Sequence, residues 1–186
     1  MDWPNHFRIK QAAQRIHAGE VVAYPTEAVW GLGCDPFNPY AVHELLRLKN
    51  RPVRKGLILI AADIDQLRPF LSRLSSQHYQ QLESSWPATI TWLVPALSIV
   101  PSWIRGEHSS VALRVTDHPI AAALCMAVGG PIVSTSANPD GRREARTALS
   151  VRRYFGANIA AITPGKVGNA AKPSQIRDLI SGKVLR

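Results

Sequence analysis

Six consecutive apolar residues, Leu57-Ile58-Leu59-Ile60-Ala61-Ala62, stand between Lys55-Gly56 and Asp63. The run is too short for an ordinary helix. It also lacks the polar alternation of a strand that wets one face. It therefore predicts a strand covered on both sides. Such a strand needs packing layers above and below its sheet, which confines the chain to a layered α/β architecture.

The flanking sequence supplies those layers. Residues 6–18 read as a helix with Phe7, Ala12, Ala13 and Ile16 on its apolar face and Gly19 as its stop. Further helices are expected over 41–48, 66–71, 77–84, 119–128 and 148–155. Strands are expected at 21–24, 89–94, 110–115, 131–135 and 159–163. Two more, at 175–180 and 183–185, are expected to be pinned to the core by Ile176, Leu179, Ile180, Val184 and Leu185. The Pro-rich stretch 95–106 reads as the longest loop. Helices and strands interleave without repeats, so the expected fold is a mixed sheet with flanking helices in one domain.

At 186 residues and 46% apolar content, the chain can bury one sizeable core, which excludes wholesale disorder. No apolar run reaches the ~18–20 residues a membrane span needs. The start of the sequence lacks a basic segment followed by an apolar one, so no signal peptide is expected. Two well-separated cysteines, Cys34 and Cys125, exclude a disulfide scaffold and fit a reducing cytoplasm. The net charge of +9 comes from 22 cationic residues, of which 16 are Arg. The planar Arg fork suits phosphate and carboxylate, so anionic ligands are expected.

Familiar catalytic signatures are missing. There is no Walker phosphate loop, no GxGxxG turn, no HExxH, no GxSxG and no metal-ligand spacing among the histidines. Ser134 or Ser136 with His118 as base would make a hydrolase, but no acid partner is evident.

Four polar clusters lie where strands end or begin, the usual ligand position in open α/β sheets. They are Pro25-Thr26-Glu27; Lys49 to Lys55 with four cations; Arg114 within an apolar strand; and Ser134-Thr135-Ser136-Ala137-Asn138. Taken alone, the charge run could be a solvated face, Thr26 a helix cap, Glu27 a water-facing residue, and the Ser/Thr/Asn stretch an ordinary turn. Arg114 cannot be so bland, because an unpaired buried charge costs several kcal/mol. Asp117, Asp178 or an anionic ligand are the candidate partners. The donors and cations together suit phosphoryl or nucleotidyl transfer.

These clusters, in this order, resemble the TsaC/YrdC family of threonylcarbamoyl-AMP synthases. The resemblance rests on residues 25–33, Lys49-Asn50-Arg51-Pro52, Trp86-Pro87, residues 110–115 with His118-Pro119, Ser134 to Asn138, and residues 173–178. It covers 7–186 as one YrdC-like domain. It implies an open, twisted mixed sheet around a basic concave cavity. It also implies condensation of L-threonine, bicarbonate and ATP to threonylcarbamoyl-AMP and pyrophosphate, for transfer to tRNA by partner proteins.

Carried over residue by residue, the resemblance places Thr26, Lys49, Arg51, Arg114, Ser134 and Ser174 near threonine. Arg51, Lys55, Ser110, Ser136, Asn138 and Arg186 fall near the nucleotide. Lys49 and Arg51 are the expected catalytic cations, exposed and of little weight in folding. Mg²⁺ is expected on the triphosphate, with no metal site built from protein carboxylates. Ala28, Ala88 and Thr89 depart from the family pattern, as does Ile60, where longer members carry His. The departure at Ala88 would strain the turn if the Gly it replaces needed positive φ. Two other readings compete: a module binding double-stranded RNA or tRNA through the basic cavity, and a paralogue acting on another amino acid or acyl acceptor.

Overall fold

A computed structural model describes residues 2–186. The chain opens with α1 (Phe7–His17), whose buried stripe is Ile9, Ala12, Ala13 and Ile16. Phe7, expected on that stripe, is instead exposed. It lies at the first turn, where Ile9 already takes the inward direction. A hairpin follows, β1 (Val22–Pro25) and β2 (Trp30–Gly33), then α2 (Pro39–Lys49). β3 (Ile58–Ala61) leads through a 3₁₀ turn at Asp65–Leu67 into the short α3 (Arg68–Leu71) and then α4 (Ser76–Ser85). Pro69 accounts for the break, since it fits the first turn of a helix better than its interior.

β4 (Ile90–Pro95), α5 (Ser102–Arg105), β5 (Ser110–Val115), α6 (Pro119–Val128) and β6 (Ile132–Ser136) follow. The chain continues through α7 (Ala148–Phe155), β7 (Ala161–Ile162) and β8 (Gln175–Asp178). The expected strand at 183–185 is reduced to one bridge between Arg177 and Val184. Ile180, Val184 and Leu185 are exposed, so backbone bonds hold this segment; Leu179 is buried. The expected loop 95–106 contains α5, a single turn that the prolines around it obscure.

The eight strands form one mixed sheet in the order β7-β1-β2-β6-β3-β5-β4-β8. β3 is central, parallel to β5 and antiparallel to β6. Its neighbouring residues Leu59 and Ile60 enter two different apolar clusters. The sheet is thus covered on both faces, as residues 57–62 require. On one face lie α1 and α6, packed on Tyr24, Ile60 and Ile132. On the other, Leu45, Phe70, Leu82 and Phe155 come from α2, α3, α4 and α7.

β2 was not legible as a strand because two of its four residues are Gly. Its glycines are steric. A Cβ on Gly33 would sit 2.5 Å from the Val133 carbonyl oxygen and 2.8 Å from the Tyr24 ring. The close approach lets β2 lie between β1 and β6.

Candidate active site

The face covered by α1 and α6 is open at its other end. Side chains two residues apart on a strand share a face. Beyond Ile60 and Ile132, the same side therefore presents Ile58 of β3, Ser134 and Ser136 of β6, and Ser110, Ala112 and Arg114 of β5. These residues floor a cavity of about 370 Å³. Its rim comes from Thr26 in the β1–β2 turn, Arg51 and Lys55 after α2, and Ser174 and Arg186 near β8.

Four of the five rim residues are placed by a local device. Thr26 Oγ1 donates to the Val29 carbonyl at 2.7 Å, closing the hairpin turn; it is not a helix cap. Asn50 ends α2 in the left-handed conformation, at φ 51°. Asn tolerates that region better than most residues, and it turns Arg51 out of the helix path. The Arg51 guanidinium then donates to the Gly56 carbonyl at 2.9 Å. Ser174 Oγ pairs with Thr91 Oγ1 at 2.8 Å. The Arg186 guanidinium donates to the Ser174 carbonyl at 3.1 Å.

Two expected ligand residues do not line the cavity. Lys49 is buried, and its ammonium donates to the carbonyls of Ser136 and Asn138 and, at 3.4 Å, to Asn138 Oδ1. Asn138 Oδ1 also accepts from Ser136 Oγ at 2.6 Å, and its amide donates to the Arg142 carbonyl at 2.7 Å. Lys49 therefore sits behind the wall and ties the Ser136–Asn138 turn together. It is not the exposed cation expected. A turn rich in inward carbonyls needs donors, and a buried ammonium needs acceptors. Burial, then the charge of Arg51, lowers the Lys49 pKa to about 8.

Arg114 is buried, and its partner is neither Asp117 nor Asp178 but Glu27, at 3.1 Å. Glu27 is buried as well, not facing water. Burial pushes its carboxyl up, but the Arg114 charge and the Thr116 hydroxyl outweigh that and hold it below the usual range. Beside it, His118 is no base for Ser134. Its Nε2 lies 3.1 Å from the Lys166 carbonyl, which can only accept, so Nε2 carries the proton. Nδ1 is buried without a partner.

Burial outweighs the nearby Glu27 and Asp117 charges and lowers the His118 pKa from 6.5. The unfolded chain therefore binds this proton more readily than the folded one. Stability should fall as pH drops from about 6.5 toward the folded value, and His118→Gln should flatten that part of a urea-midpoint profile against pH. A profile unchanged by the substitution would refute the neutral, buried assignment.

The sequence reading also missed wall residues. Arg105 ends α5, His108 comes from the segment after it, and Glu144 from the stretch before α7. Only their position in three dimensions marks them, because 95–106 looked like a surface excursion.

A family model for Sua5/YciO/YrdC, described as "Telomere recombination", matches residues 14–186. The chain belongs to the Sua5/YciO/YrdC family. A relative from Cellvibrio japonicus named "Threonylcarbamoyl-AMP synthase" is 53% identical over 186 residues, covering 100% of this chain and 98% of its own. The crystal structure of P. abyssi Sua5 complexed with L-threonine superposes with a TM-score of 0.85 at 31% identity. The match covers 91% of this chain and 50% of the archaeal one, so this chain spans about half of that protein. E. coli YciO superposes at 0.83 with 25% identity, covering 96% of this chain and 87% of its own.

Within this Sua5/YciO/YrdC fold, Ala88 causes no strain. Among the described residues, Asn50 is the one non-glycine at positive φ. Ala28 and Thr89 both line the cavity, and Ile60 is core beneath α1 and α6. No helix of the described residues is long and apolar enough to cross a membrane.

Proposed function

We propose that this chain is a threonylcarbamoyl-AMP synthase, with residues 7–186 as its functional unit. The observation that carries the reading is one cavity lined by Arg114 together with Arg51, Lys55 and Arg186, with the hydroxyls of Thr26, Ser134 and Ser174 on the same wall. A reaction between two anions needs cations that face both. Relatives named for this synthase match the whole chain, and none of those cited is named as an RNA-binding module.

Threonine enters with its carboxylate on Arg114 and its polar groups toward Thr26, Ser134 and Ser174. Its amine combines with bicarbonate to give a carbamate, with loss of water. A carbamate oxygen then attacks the α-phosphorus of ATP. The bond from that phosphorus to the bridging oxygen breaks, and pyrophosphate leaves. Arg51 is the catalytic cation, and Lys55 and Arg186 hold the phosphates; Ser110 and Ser136 supply hydroxyls to the nucleotide. Lys49 and Asn138 act through the turn they brace. ATP comes as its Mg²⁺ complex. Its phosphate oxygens and water would carry the ion. The free, buried Cys34 and Cys125 suit a cytoplasmic location, where partner proteins would move the threonylcarbamoyl group to tRNA.

Incubation with ATP and Mg²⁺ tests the reading. Pyrophosphate should be released only when threonine and bicarbonate are both present, with the nucleotide recovered as an acyl-AMP or AMP. Release of ADP and phosphate would overturn it.

A further inference from the structure

The β1–β2 turn carries one carboxylate into the cavity floor, and the reaction does not use it. Glu27 bridges Arg114 of β5 and Thr116 just past the strand's end. One oxygen pairs with Arg114 Nη1 at 3.1 Å, and the other accepts from Thr116 Oγ1 at 2.5 Å. Arg114 and Thr116 are two residues apart along the extended chain, so both project to the same side. The direction of the Thr116 bond is fixed. Its oxygen already accepts from the His118 backbone N–H at 3.2 Å, and an ionised carboxylate can only accept. The Thr116 hydroxyl therefore donates to the Glu27 carboxylate.

The backbone of Glu27 is held from the opposite side. Gly168 N–H donates to the Thr26 carbonyl and Ala170 N–H to the Glu27 carbonyl, both at 3.0 Å. The two segments are in contact: a Cβ on Gly168 would lie 2.9 Å from the Glu27 carbonyl oxygen and 3.1 Å from its Cα. His118 reaches the same segment through Lys166. The main chain of Glu27 and the Thr116 end of its carboxylate are thus held by residues that do not line the cavity.

Glu27 occupies the Nη1 end of the guanidinium. Arg114 Nε is buried and has no protein acceptor among the described residues. Arg114 Nη2 makes no protein hydrogen bond among the described residues and, unlike Nε, is not enclosed by protein, so it is the nitrogen left open to a carboxylate in the cavity.

We propose that Glu27, braced by Thr116 and the 166–170 segment, is a positioning residue that fixes the Arg114 guanidinium with its Nη2 toward the carboxylate of the amino-acid substrate. The inference rests on the synthase reading for the identity of that substrate. It assigns Glu27 no contact with substrate and no proton to transfer.

The test measures threonine and ATP separately in Glu27→Gln and Thr116→Val. Glu27→Gln keeps the shape but removes the charge that orients Arg114. The KM for threonine, and its Kd by calorimetry without ATP, should rise about tenfold or more while the KM for ATP changes less than about twofold. Thr116→Val leaves the ion pair but loosens the carboxylate, and should raise the threonine constants by a smaller factor, about threefold. If Glu27→Gln does not fold, the Thr116→Val result alone decides. Unchanged threonine constants, or equal losses for threonine and ATP, would overturn the positioning role. Wild-type protein that binds no threonine and releases no pyrophosphate would instead overturn the synthase reading, so the two failures are distinct.

Discussion

Arg114→Met should lower unfolding stability at neutral pH by about 3–5 kcal/mol, because it leaves the Glu27 carboxylate buried without its cation. The two side chains are only 7% and 8% exposed, so water cannot take over as the partner. The double variant Arg114→Met with Glu27→Gln should recover much of the loss, since removing both charges from a buried pair is far cheaper than removing one. The pH dependence should also change sign. In the native protein the Glu27 carboxyl is held below 4.5, so its contribution is present at neutral pH and is lost as pH falls through the folded value. Without Arg114, burial is opposed mainly by hydrogen bonds such as that from Thr116, so the Glu27 pKa rises. The variant should then gain stability relative to wild type as pH falls toward 5 and the carboxyl takes up a proton. Urea denaturation at pH 7 and pH 5 reads both effects. A loss below about 1 kcal/mol, or a double variant no more stable than the single, would mean the pair is solvated and the Arg114 geometry differs from that described.

The same pair marks how far the sequence could be read. A cation inside residues 110–115 announced that something must neutralise Arg114, and the strand itself was legible from its apolar neighbours. The partner was not legible. Glu27 and Arg114 are joined only because a hairpin turn and the end of a central strand meet in space, a relation with no local signature. The long strands and helices were readable because each carries its own period. Residues 119–128 and 148–155 are helical over their expected bounds. β2 and the tail after β8 were not, for two reasons. Glycines selected for close approach look like loop residues, and the tail is held by backbone bonds such as Leu185 N–H to the Ile176 carbonyl, which any side chain would allow.

Much of the cavity wall was readable as polar residues at strand ends, since Thr26, Arg51, Arg114 and Ser134 all came to one place; Ser174 was expected only from the family resemblance. Whether a given polar residue faces ligand or braces its neighbours was beyond the sequence. The ammonium of Lys49 has the same composition in either role; only the carbonyls around it decide.

That distinction has a measurable consequence for the two cations flanking Asn50. Lys49→Met and Arg51→Met should each reduce kcat/KM by about 10²-fold or more, a loss near 3 kcal/mol in transition-state stabilisation. Their effects on folding should part. Lys49 is buried with its donors spent on the Ser136–Asn138 turn, so its removal leaves buried carbonyls unpaired at about 1–3 kcal/mol each. Arg51 is half-buried and holds a single carbonyl closely, that of Gly56. Its loss should cost stability little while removing a charge that faces the cavity. Melting temperature against kcat/KM for the pair therefore separates bracing from contact: Lys49→Met should lower both, Arg51→Met mainly the second. A Lys49→Met protein that melts like wild type yet has lost activity would put the ammonium on the substrate after all, with the turn held by something else.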